Sequence, residues 1–216
     1  MKNLKCSLNF FRVLNDYARR IDESSNKVHK VEDLFAPALV GLRSKLQDVL
    51  KTNLDDNPYL SGALDFAWRK GSYEVLHLAK KLKKGPNWSQ LEATYVKSHL
   101  IQSFGYFQNI VFLLGSGPDF EHQNDFGFLS EDKPKSQNTS KNLKKATFKC
   151  LMFMGDLTRY QLEFNEDKES TTKLSKKYYQ MAISVDPDHG QPFNQLAALS
   201  GSQSYGIIAV YNYMRW

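Results

Sequence analysis

One stretch of the sequence places charged side chains within an apolar helical pattern. In residues 150–160 the apolar side chains recur at helical spacing, interrupted by a Gly-Asp pair at 155–156 and an Arg-Tyr pair at 159–160. The guanidinium of Arg159 stays protonated, and burying it without an anion would cost on the order of several kcal/mol. The pattern therefore predicts a negative group beside Arg159.

The anion beside Arg159 has two possible sources. Asp156 lies one turn before Arg159 and Glu163 one turn after it, so either carboxylate could form an ordinary internal salt bridge. The alternative is an anionic ligand from outside the chain. The residue types alone leave both sources open.

A second basic pair makes a phosphoester the most suitable external ligand. Arg69 and Lys70 follow Trp68 in an earlier predicted helix. If stacked helices bring this pair to Arg159 and Tyr160, two or three cations and a phenol hydroxyl would converge on one point. Such a group suits a phosphate, with about 1.5 to 3 kcal/mol for each charge-assisted hydrogen bond.

Other kinds of chemistry find little support in the sequence. The sequence has five histidines, and none of them has metal-ligand spacing to another histidine or to either cysteine. They are His29, His77, His99, His122 and His189. No nucleophile elbow, dinucleotide fingerprint or kinase motif occurs, and the Gly115-Ser116-Gly117 sequence lacks the lysine of a phosphate-binding loop. We therefore expect a binding protein without catalytic residues, metal or cofactor.

The composition is that of a globular protein with anionic partners. The 216 residues suffice for one domain with a sizeable core, and the net charge of +6 favours partners such as RNA or phosphorylated protein. The first residues lack an apolar signal core, and no run of about 18 apolar residues exists. We expect no membrane association and a cytoplasmic protein that could also shuttle to the nucleus.

Hydrophobic spacing predicts an all-α chain. Apolar side chains recur three and four residues apart in successive segments, and no segment alternates with period two over any length. A polar run makes residues 115–141 a long mobile loop. The predicted helices include residues 3–22, 31–54, 59–84, 89–114, the segment around 150–160, residues 174–185, and 205–216.

The last third of the chain fits a tetratricopeptide register. With Gly190 at position 1 of a 34-residue unit, Ala197 falls at position 8, Ala209 at 20 and Tyr213 at 24. These are the small and aromatic positions that helix packing in such a unit requires. We therefore predict one domain of stacked antiparallel helix hairpins over residues 1–216, with a concave peptide groove. The final helix lacks a stop signal, so we expect a piece of a longer array.

A glycine in the middle of the fourth predicted helix points to a close contact. Gly105 lies between Phe104 and Tyr106, where glycine costs about 1 kcal/mol relative to alanine. The usual compensation is close approach of a backbone or ring, either inside the fold or across a subunit interface. The local sequence leaves both options open.

Several motifs resemble those of known families. Residues 155–160 resemble the Gly-Asp-x-x-Arg-Tyr motif of 14-3-3 proteins. Residues 150–161, 178–180 and 190–197 resemble the SMG and Est-one family of nonsense-mediated mRNA decay factors. Similarity to the SMG-five type within that family is carried by residues 68–70 with 73–75, by residues 91–95 and by residues 156–161.

The resemblance implies a fold, a function and phosphate ligands. It implies a 14-3-3-like domain of tetratricopeptide-like helices, in a non-catalytic adaptor that binds the phosphorylated up-frameshift RNA helicase. Arg159 and Tyr160 would hold the phosphate, and Asn194 would contact the peptide backbone. Tyr73 stands near the place of the family's pocket lysine, so Arg69 or Lys70 must replace that lysine, or the pocket is weaker.

The resemblance also implies a partner. Gly105 and Tyr106 fall where the family has its heterodimer contact, which favours a subunit interface with an SMG-seven-type protein and an indirect link to the mRNA decay machinery. The alternative from a different class is a basic helical-repeat protein that binds RNA directly.

Overall fold

A computed structural model describes residues 2–25, 40–45, 60–85, 88–116, 141–164, 167–200 and 206–216. Helices dominate these ranges, and none of the residues within them forms a strand, so the all-α prediction is confirmed. Most of the predicted second helix and residues 117–140 of the predicted mobile loop lie outside the described residues.

The helices follow the predicted order. Their bounds are α1 (Lys2–Ser25), α2 (residues 40–45), α3 (Leu60–Trp68), α4 (Glu74–Lys83), α5 (Gln90–Val111), α6 (Lys141–Gln161), α7 (Lys168–Val185), α8 (Gln191–Ser200) and α9 (Ile207–Arg215). Two differences from the prediction are π-helical segments. Arg69–Tyr73 interrupts the predicted helix 59–84, and Phe112–Ser116 extends α5 into the start of the predicted loop.

The chain forms two compact units. The first unit comprises Met1–Thr52 and Gly62–Ser103, and the second comprises Asn53–Ser61 and Phe104–Trp216. The prediction of one domain stays a prediction.

In the first unit, the side chain of an arginine on α2 is hydrogen-bonded to the π-helical segment. Gly71 and Ser72 are buried in that segment, and the guanidinium of Arg43 on α2 donates a 3.0 Å hydrogen bond to the Gly71 carbonyl oxygen. The same Nη2 atom donates to the Ser103 hydroxyl at 2.6 Å. A π turn adds one residue to a helical turn and leaves a backbone carbonyl less tightly bonded within the helix. Here that carbonyl belongs to Gly71, and the Arg43 side chain bonds to it. The Arg69 and Tyr73 side chains are exposed at the ends of the segment.

In the second unit, α6 and α7 form a helical hairpin, and α6 carries a long run of buried residues. The buried residues of α6 are Ala146, Thr147, Phe148, Cys150, Leu151, Met152, Phe153, Met154, Gly155, Leu157 and Thr158. Helix α7 begins with a side-chain cap, because the Asp167 carboxylate accepts a 3.0 Å hydrogen bond from the Ser170 backbone N–H. Tyr178 and Tyr179 are buried on the α7 face that packs against the core.

The final helices pack as the tetratricopeptide register predicts at its small positions. Ala197 on α8 and Ala209 on α9 are both buried. A Cβ atom built on Gly190 would clash with the backbone of Trp216, so a larger residue there would force one of them to shift. Tyr213, at the aromatic position, is exposed to almost half of its area.

Candidate functional site

Gly155 lets an aromatic ring lie directly against the backbone of α6. A Cβ atom built on Gly155 would lie 2.6 Å from Cε1 of Tyr179 and 2.8 Å from its Cδ1, closer than side chains tolerate. Beside this contact, the Ser175 hydroxyl donates a 2.9 Å hydrogen bond to the Gly155 carbonyl oxygen. The glycine of the Gly-Asp pair is therefore a packing residue that brings the Tyr179 hydroxyl to the polar residues of α6.

The hydroxyl of Tyr179 joins Asp156 to Arg159. It donates a 2.7 Å hydrogen bond to Oδ1 of Asp156 and accepts a 3.3 Å hydrogen bond from Nε of Arg159. The Nη2 atom of Arg159 lies 3.3 Å from the same Oδ1. Charge-assisted N–H···O bonds are usually about 2.7 to 2.9 Å long. The tyrosine-aspartate bond is therefore tight, whereas both bonds from the arginine are long.

Burial changes the pKa values of these three groups. Burial raises the pKa of Asp156, although the Tyr179 hydrogen bond and the Arg159 charge oppose that rise. Burial and the Asp156 carboxylate raise the pKa of Tyr179, so its phenol keeps its proton and can donate. Burial works to lower the pKa of Arg159, but Tyr179 and Asp156 outweigh it, and the pKa is raised. The guanidinium is therefore charged at neutral pH.

The guanidinium of Arg159 remains accessible from solvent. Its side chain is 29% exposed, whereas that of Asp156 is 13% exposed. The Cζ atom of Arg159 lies 4.6 Å from the ring centroid of Tyr160, within cation-π distance. Its partners among the described residues are Asp156, Tyr179 and the Tyr160 ring. The internal salt bridge that the sequence left open is thus present, but it does not seal the cation from water.

Asn194 lies in the same unit, on α8. Its neighbour Phe193 is buried, whereas Asn194 is only partly buried. Its backbone N–H donates to the Gly190 carbonyl oxygen at 3.3 Å, in the first turn of the helix. Its side-chain amide forms no hydrogen bond to any residue that the structure describes. The amide is therefore available for the predicted contact with a peptide backbone.

In the first unit, the π-helical segment carries Arg69 and Lys70 in different settings. The Nζ atom of Lys70 lies 2.7 Å from Asp22 Oδ1 and 2.8 Å from Glu74 Oε2, and its side chain is 13% exposed. Burial works to lower the pKa of Lys70, but hydrogen bonds to the two carboxylates outweigh it and raise the pKa. Arg69 is 61% exposed, with Nε 4.0 Å from Glu74. Arg69 is therefore the more available cation of the pair.

Tyr73 ends the π-helical segment at a small acidic cavity. Its exposed ring stacks on the His77 ring, with centroids 6.3 Å apart and planes inclined by 23°. The cavity has a volume of about 290 Å³, and Asp22, Glu74 and Leu78 also line it. Two carboxylates beside Tyr73 do not favour a phosphate at this position. Arg69, Lys70 and Tyr73 belong to the first unit and Arg159, Tyr160 and Asn194 to the second, so their convergence stays a prediction.

No described neighbour explains the glycine at position 105. A Cβ atom built on Gly105 would meet nothing within 4 Å among the described atoms, and the residue is exposed. Phe112 lies two turns after it, at the start of the π-helical segment Phe112–Ser116, and is largely exposed. Tyr106 is partly buried and packs edge-on against the Phe107 ring, with centroids 5.3 Å apart. Gly105 thus lies on an exposed face of the second unit, with an exposed apolar side chain two turns later.

The described ranges contain neither a candidate metal site nor a helix that could cross a membrane. No group of three or more histidine, cysteine, aspartate or glutamate residues there could hold a metal ion. None of the helices in those ranges combines the length and the apolar character needed to cross a membrane.

Cys150 is fully buried, and burial raises the pKa of its thiol, which keeps the nucleophilic thiolate scarce.

Sequence reasoning missed two residues that shape the Arg159 site. Tyr179 lies 20 residues after Arg159, and Ser175 lies 20 residues after Gly155. The available signal was a tyrosine and a serine four residues apart on the buried face of α7, combined with a glycine amid the apolar residues of α6. The hairpin then brings these groups together.

Comparison with known proteins gives matches over nearly the whole chain. Residues 175–215 match the family model described as the Est1 DNA/RNA binding domain. The chain is 32% identical over 218 residues to nonsense-mediated mRNA decay factor SMG5 of Danio rerio, covering 95% of this chain and 20% of that protein. The SMG5 of Homo sapiens is 31% identical over 217 residues, covering 95% of this chain and 21% of its own length.

A second kind of relative matches a shorter segment. The nonsense-mediated mRNA decay factor SMG7 of Danio rerio is 33% identical over 66 residues, which is 31% of this chain and 5% of that protein. The chain spans about a fifth of the length of the SMG5 relatives. Its likeness to SMG5 over 95% of its own length, together with the Est1-type segment, shows that the chain belongs to the SMG and Est1 family.

Proposed function

We propose that this chain is a non-catalytic adaptor in nonsense-mediated mRNA decay that binds phosphoserine or phosphothreonine peptides through Arg159 and Tyr160. The role in mRNA decay is supported by the SMG5 and SMG7 relatives, which are named as factors of that process. The observation that carries the phosphate site is the charged guanidinium of Arg159, which is held by two long hydrogen bonds and is still exposed to solvent.

The long bonds of Arg159 favour exchange for a better anion. A phosphate dianion offers three oxygens, and a guanidinium can bind two of them in a parallel, charge-assisted pair. Each such bond contributes about 1.5 to 3 kcal/mol. The Asp156 carboxylate, at 3.3 Å and shared with Tyr179, holds the guanidinium less tightly than such a pair would. Asn194 would add a bond to the peptide backbone.

We propose the phosphorylated up-frameshift RNA helicase as the source of the peptide and an SMG7-type protein as the heterodimer partner. Both follow from the family resemblance. The proposed dimer contact at Gly105 and Tyr106 is supported by the exposure of Gly105, where a glycine has no packing role among described neighbours. The exposed side chain of Phe112 would supply an apolar contact near it.

The test of the peptide function is capture of the partner helicase before and after phosphatase treatment. The immobilised chain should retain the phosphorylated helicase and lose it after dephosphorylation, because the phosphate supplies the anion that Arg159 requires. Nuclease treatment should make no difference. Equal capture of the phosphorylated and dephosphorylated helicase would refute a phosphate-dependent site.

The second candidate function is direct binding of RNA, favoured by the description of the family model that matches residues 175–215 as a DNA/RNA binding domain. Charge within that segment gives weak support. It holds three basic and two acidic side chains, a net charge of +1 with histidine neutral: Lys176, Lys177, Arg215, Asp186 and Asp188. A protein that contacts several phosphates loses affinity steeply with salt. A steep salt dependence of RNA affinity, insensitive to phosphatase, would favour this candidate.

A further inference from the structure

We propose that Tyr179, on α7, is a positioning residue for the phosphate site: its hydroxyl ties Asp156 to Arg159 and keeps the guanidinium from closing onto the carboxylate. The inference rests on the proposed phosphopeptide function. It adds a residue from outside the Gly-Asp-x-x-Arg-Tyr motif to the machinery of that site.

The position of the Tyr179 hydroxyl is set by packing. The side chain is fully buried, and its ring lies against Gly155, where a single added carbon would clash at 2.6 Å. A buried ring held on one side by a helix backbone has little freedom to change rotamer. The position of the hydroxyl is therefore fixed, and the polar side chains of α6 bond to it in that position.

The hydrogen bonds at this hydroxyl are directional. A phenol has one proton to donate, and here it goes to Oδ1 of Asp156 at 2.7 Å. The oxygen then accepts from Nε of Arg159 at 3.3 Å. The same Oδ1 atom lies 3.3 Å from Nη2 of Arg159, so the phenol and the guanidinium share one acceptor oxygen. A carboxylate oxygen can accept both bonds, but each donor draws on the same negative charge, and in that sense the two compete. The closer of the two, the phenol, weakens the ion pair.

This competition keeps the cation available. If the hydroxyl were removed, Oδ1 of Asp156 would lose its closest donor, and the guanidinium would become its main partner. An arginine and a carboxylate without a competitor approach to about 2.7 to 2.9 Å and form a bidentate pair. An incoming phosphate would then have to displace a tight internal pair. Tyr179 thus acts on ligand affinity through Arg159 and Asp156.

The chain offers a matched control in the adjacent residue. Tyr178 is also buried on α7, and its ring packs edge-on against Phe104 with centroids 5.3 Å apart. It contacts neither Asp156 nor Arg159. Replacing either tyrosine by phenylalanine removes one hydroxyl and keeps the ring, so the two variants differ in the polar network and not in the apolar packing.

The experiment compares the wild-type chain with Tyr179→Phe and Tyr178→Phe by two measurements. The first is the hydrogen-exchange rate of the Arg159 Nε–H group, followed by nitrogen-15 NMR and assigned by its loss in Arg159→Lys. The second is titration with a fluorescein-labelled phosphoserine peptide from the partner helicase. For Tyr179→Phe we expect a changed exchange rate and about tenfold weaker peptide binding, which corresponds to about one net hydrogen bond. Tyr178→Phe should match the wild type in both.

A second substitution separates positioning from a merely structural role. Asp156→Asn removes the charge that would trap the guanidinium and keeps an oxygen to accept from the phenol. In the Tyr179→Phe background, Asp156→Asn should restore peptide affinity to within about threefold of the wild type. A difference of that size corresponds to a modest part of the free energy of one net hydrogen bond. In the wild-type background Asp156→Asn should bind the peptide more tightly, because the guanidinium loses the internal anion with which a phosphate must compete.

The outcomes are distinguishable. Unchanged peptide affinity in Tyr179→Phe, or no recovery in the double variant, would overturn the positioning role. So would an equal loss of affinity in Tyr178→Phe. If the wild type fails to bind the phosphopeptide at all, the proposed function fails. An Nε–H exchange rate that is the same in Tyr179→Phe and the wild type would then also show that Tyr179 does not hold Arg159.

Discussion

The ring of Tyr179 occupies the space that a side chain at Gly155 would need. The nearest ring atoms lie 2.6 and 2.8 Å from the place of a Cβ atom, so glycine and tyrosine at these two positions depend on each other. This contact sets the distance between α6 and α7 beside the arginine. The Gly-Asp pair of the motif thus has two roles, because Gly155 admits the ring and Asp156 binds its hydroxyl.

Gly155→Ala should destabilise the second unit and weaken phosphopeptide binding together. The added methyl group must push the Tyr179 ring away from α6, and overpacking of this kind costs about 1 to 3 kcal/mol. Urea unfolding measures the stability, and peptide titration measures the binding. Gly62→Ala is the control, since Gly62 is an exposed helical glycine with nothing within 4 Å of a Cβ atom. It should gain up to about 1 kcal/mol. A Gly155→Ala variant as stable as Gly62→Ala would contradict the account.

Gly105→Glu should abolish co-purification with an SMG7-type partner and leave phosphopeptide binding intact. The substitution adds a charge to an exposed face that has room for it in the isolated chain, so folding should be unaffected. At a close helix contact the same charge would be buried without a partner. Gly62→Glu is the matched control, and it should co-purify normally. A dimer that survives Gly105→Glu would show that the interface lies elsewhere.

Lys70→Met should destabilise the first unit, whereas Arg69→Met should not. Lys70 bonds two carboxylates, and its removal leaves Asp22 and Glu74 without their shared cation. Both carboxylates are partly exposed, which limits the loss to about 1 kcal/mol. Arg69 is mostly exposed and lies 4.0 Å from Glu74. Unfolding midpoints in urea compare the two variants. Equal midpoints would mean that the Lys70 bridge contributes nothing.

His99 should make the chain sensitive to mild acid. Burial, aided by the charge of Arg43, lowers the pKa of His99 from 6.5 to about 3. The unfolded chain therefore binds more protons than the native chain between these values, and stability falls as the pH falls from 6.5 towards 3. At pH 5 the loss from this group is about 2 kcal/mol. The loss of unfolding free energy from pH 7 to pH 5 should be smaller in His99→Gln. An equal loss in both proteins would contradict the assignment.

Much of the helical architecture could be predicted because it depends on local spacing. The apolar residues of α1, α6 and α7 recur at helical intervals, and capping at Asp167 reinforces the start of α7. The π-helical segment at Arg69–Tyr73 could not be predicted in this way. It adds one residue to a helical turn within a mostly polar run, and the carbonyl oxygen of Gly71 there accepts a hydrogen bond from Arg43, 28 residues earlier in the chain.

The candidate site, like the fold, could be predicted from the sequence only in part. A negative group beside Arg159 could be predicted because a cation in an apolar helix requires an anion, and Asp156 is one of the two carboxylates within a turn of it. The roles of Arg159 and Tyr160 as phosphate ligands stay predictions. The role of Tyr179 could not be derived, because the contact depends on how α7 packs against Gly155. The partners of Lys70 include Asp22, 48 residues away, and no local pattern indicates such a pair.

The most direct test of a phosphate site at Arg159 is calorimetric titration of the wild type, Arg159→Glu and Lys173→Glu with one helicase peptide in phosphorylated and unphosphorylated forms. Lys173 is exposed and pairs with Glu169, so its charge reversal matches the change in net charge within the same unit. We expect the wild type and Lys173→Glu to bind only the phosphorylated peptide. Arg159→Glu should bind it at least about 100-fold more weakly, since two charge-assisted bonds are lost, with unchanged helical content by circular dichroism. Equal affinity of Arg159→Glu and the wild type for the phosphorylated peptide would contradict the account.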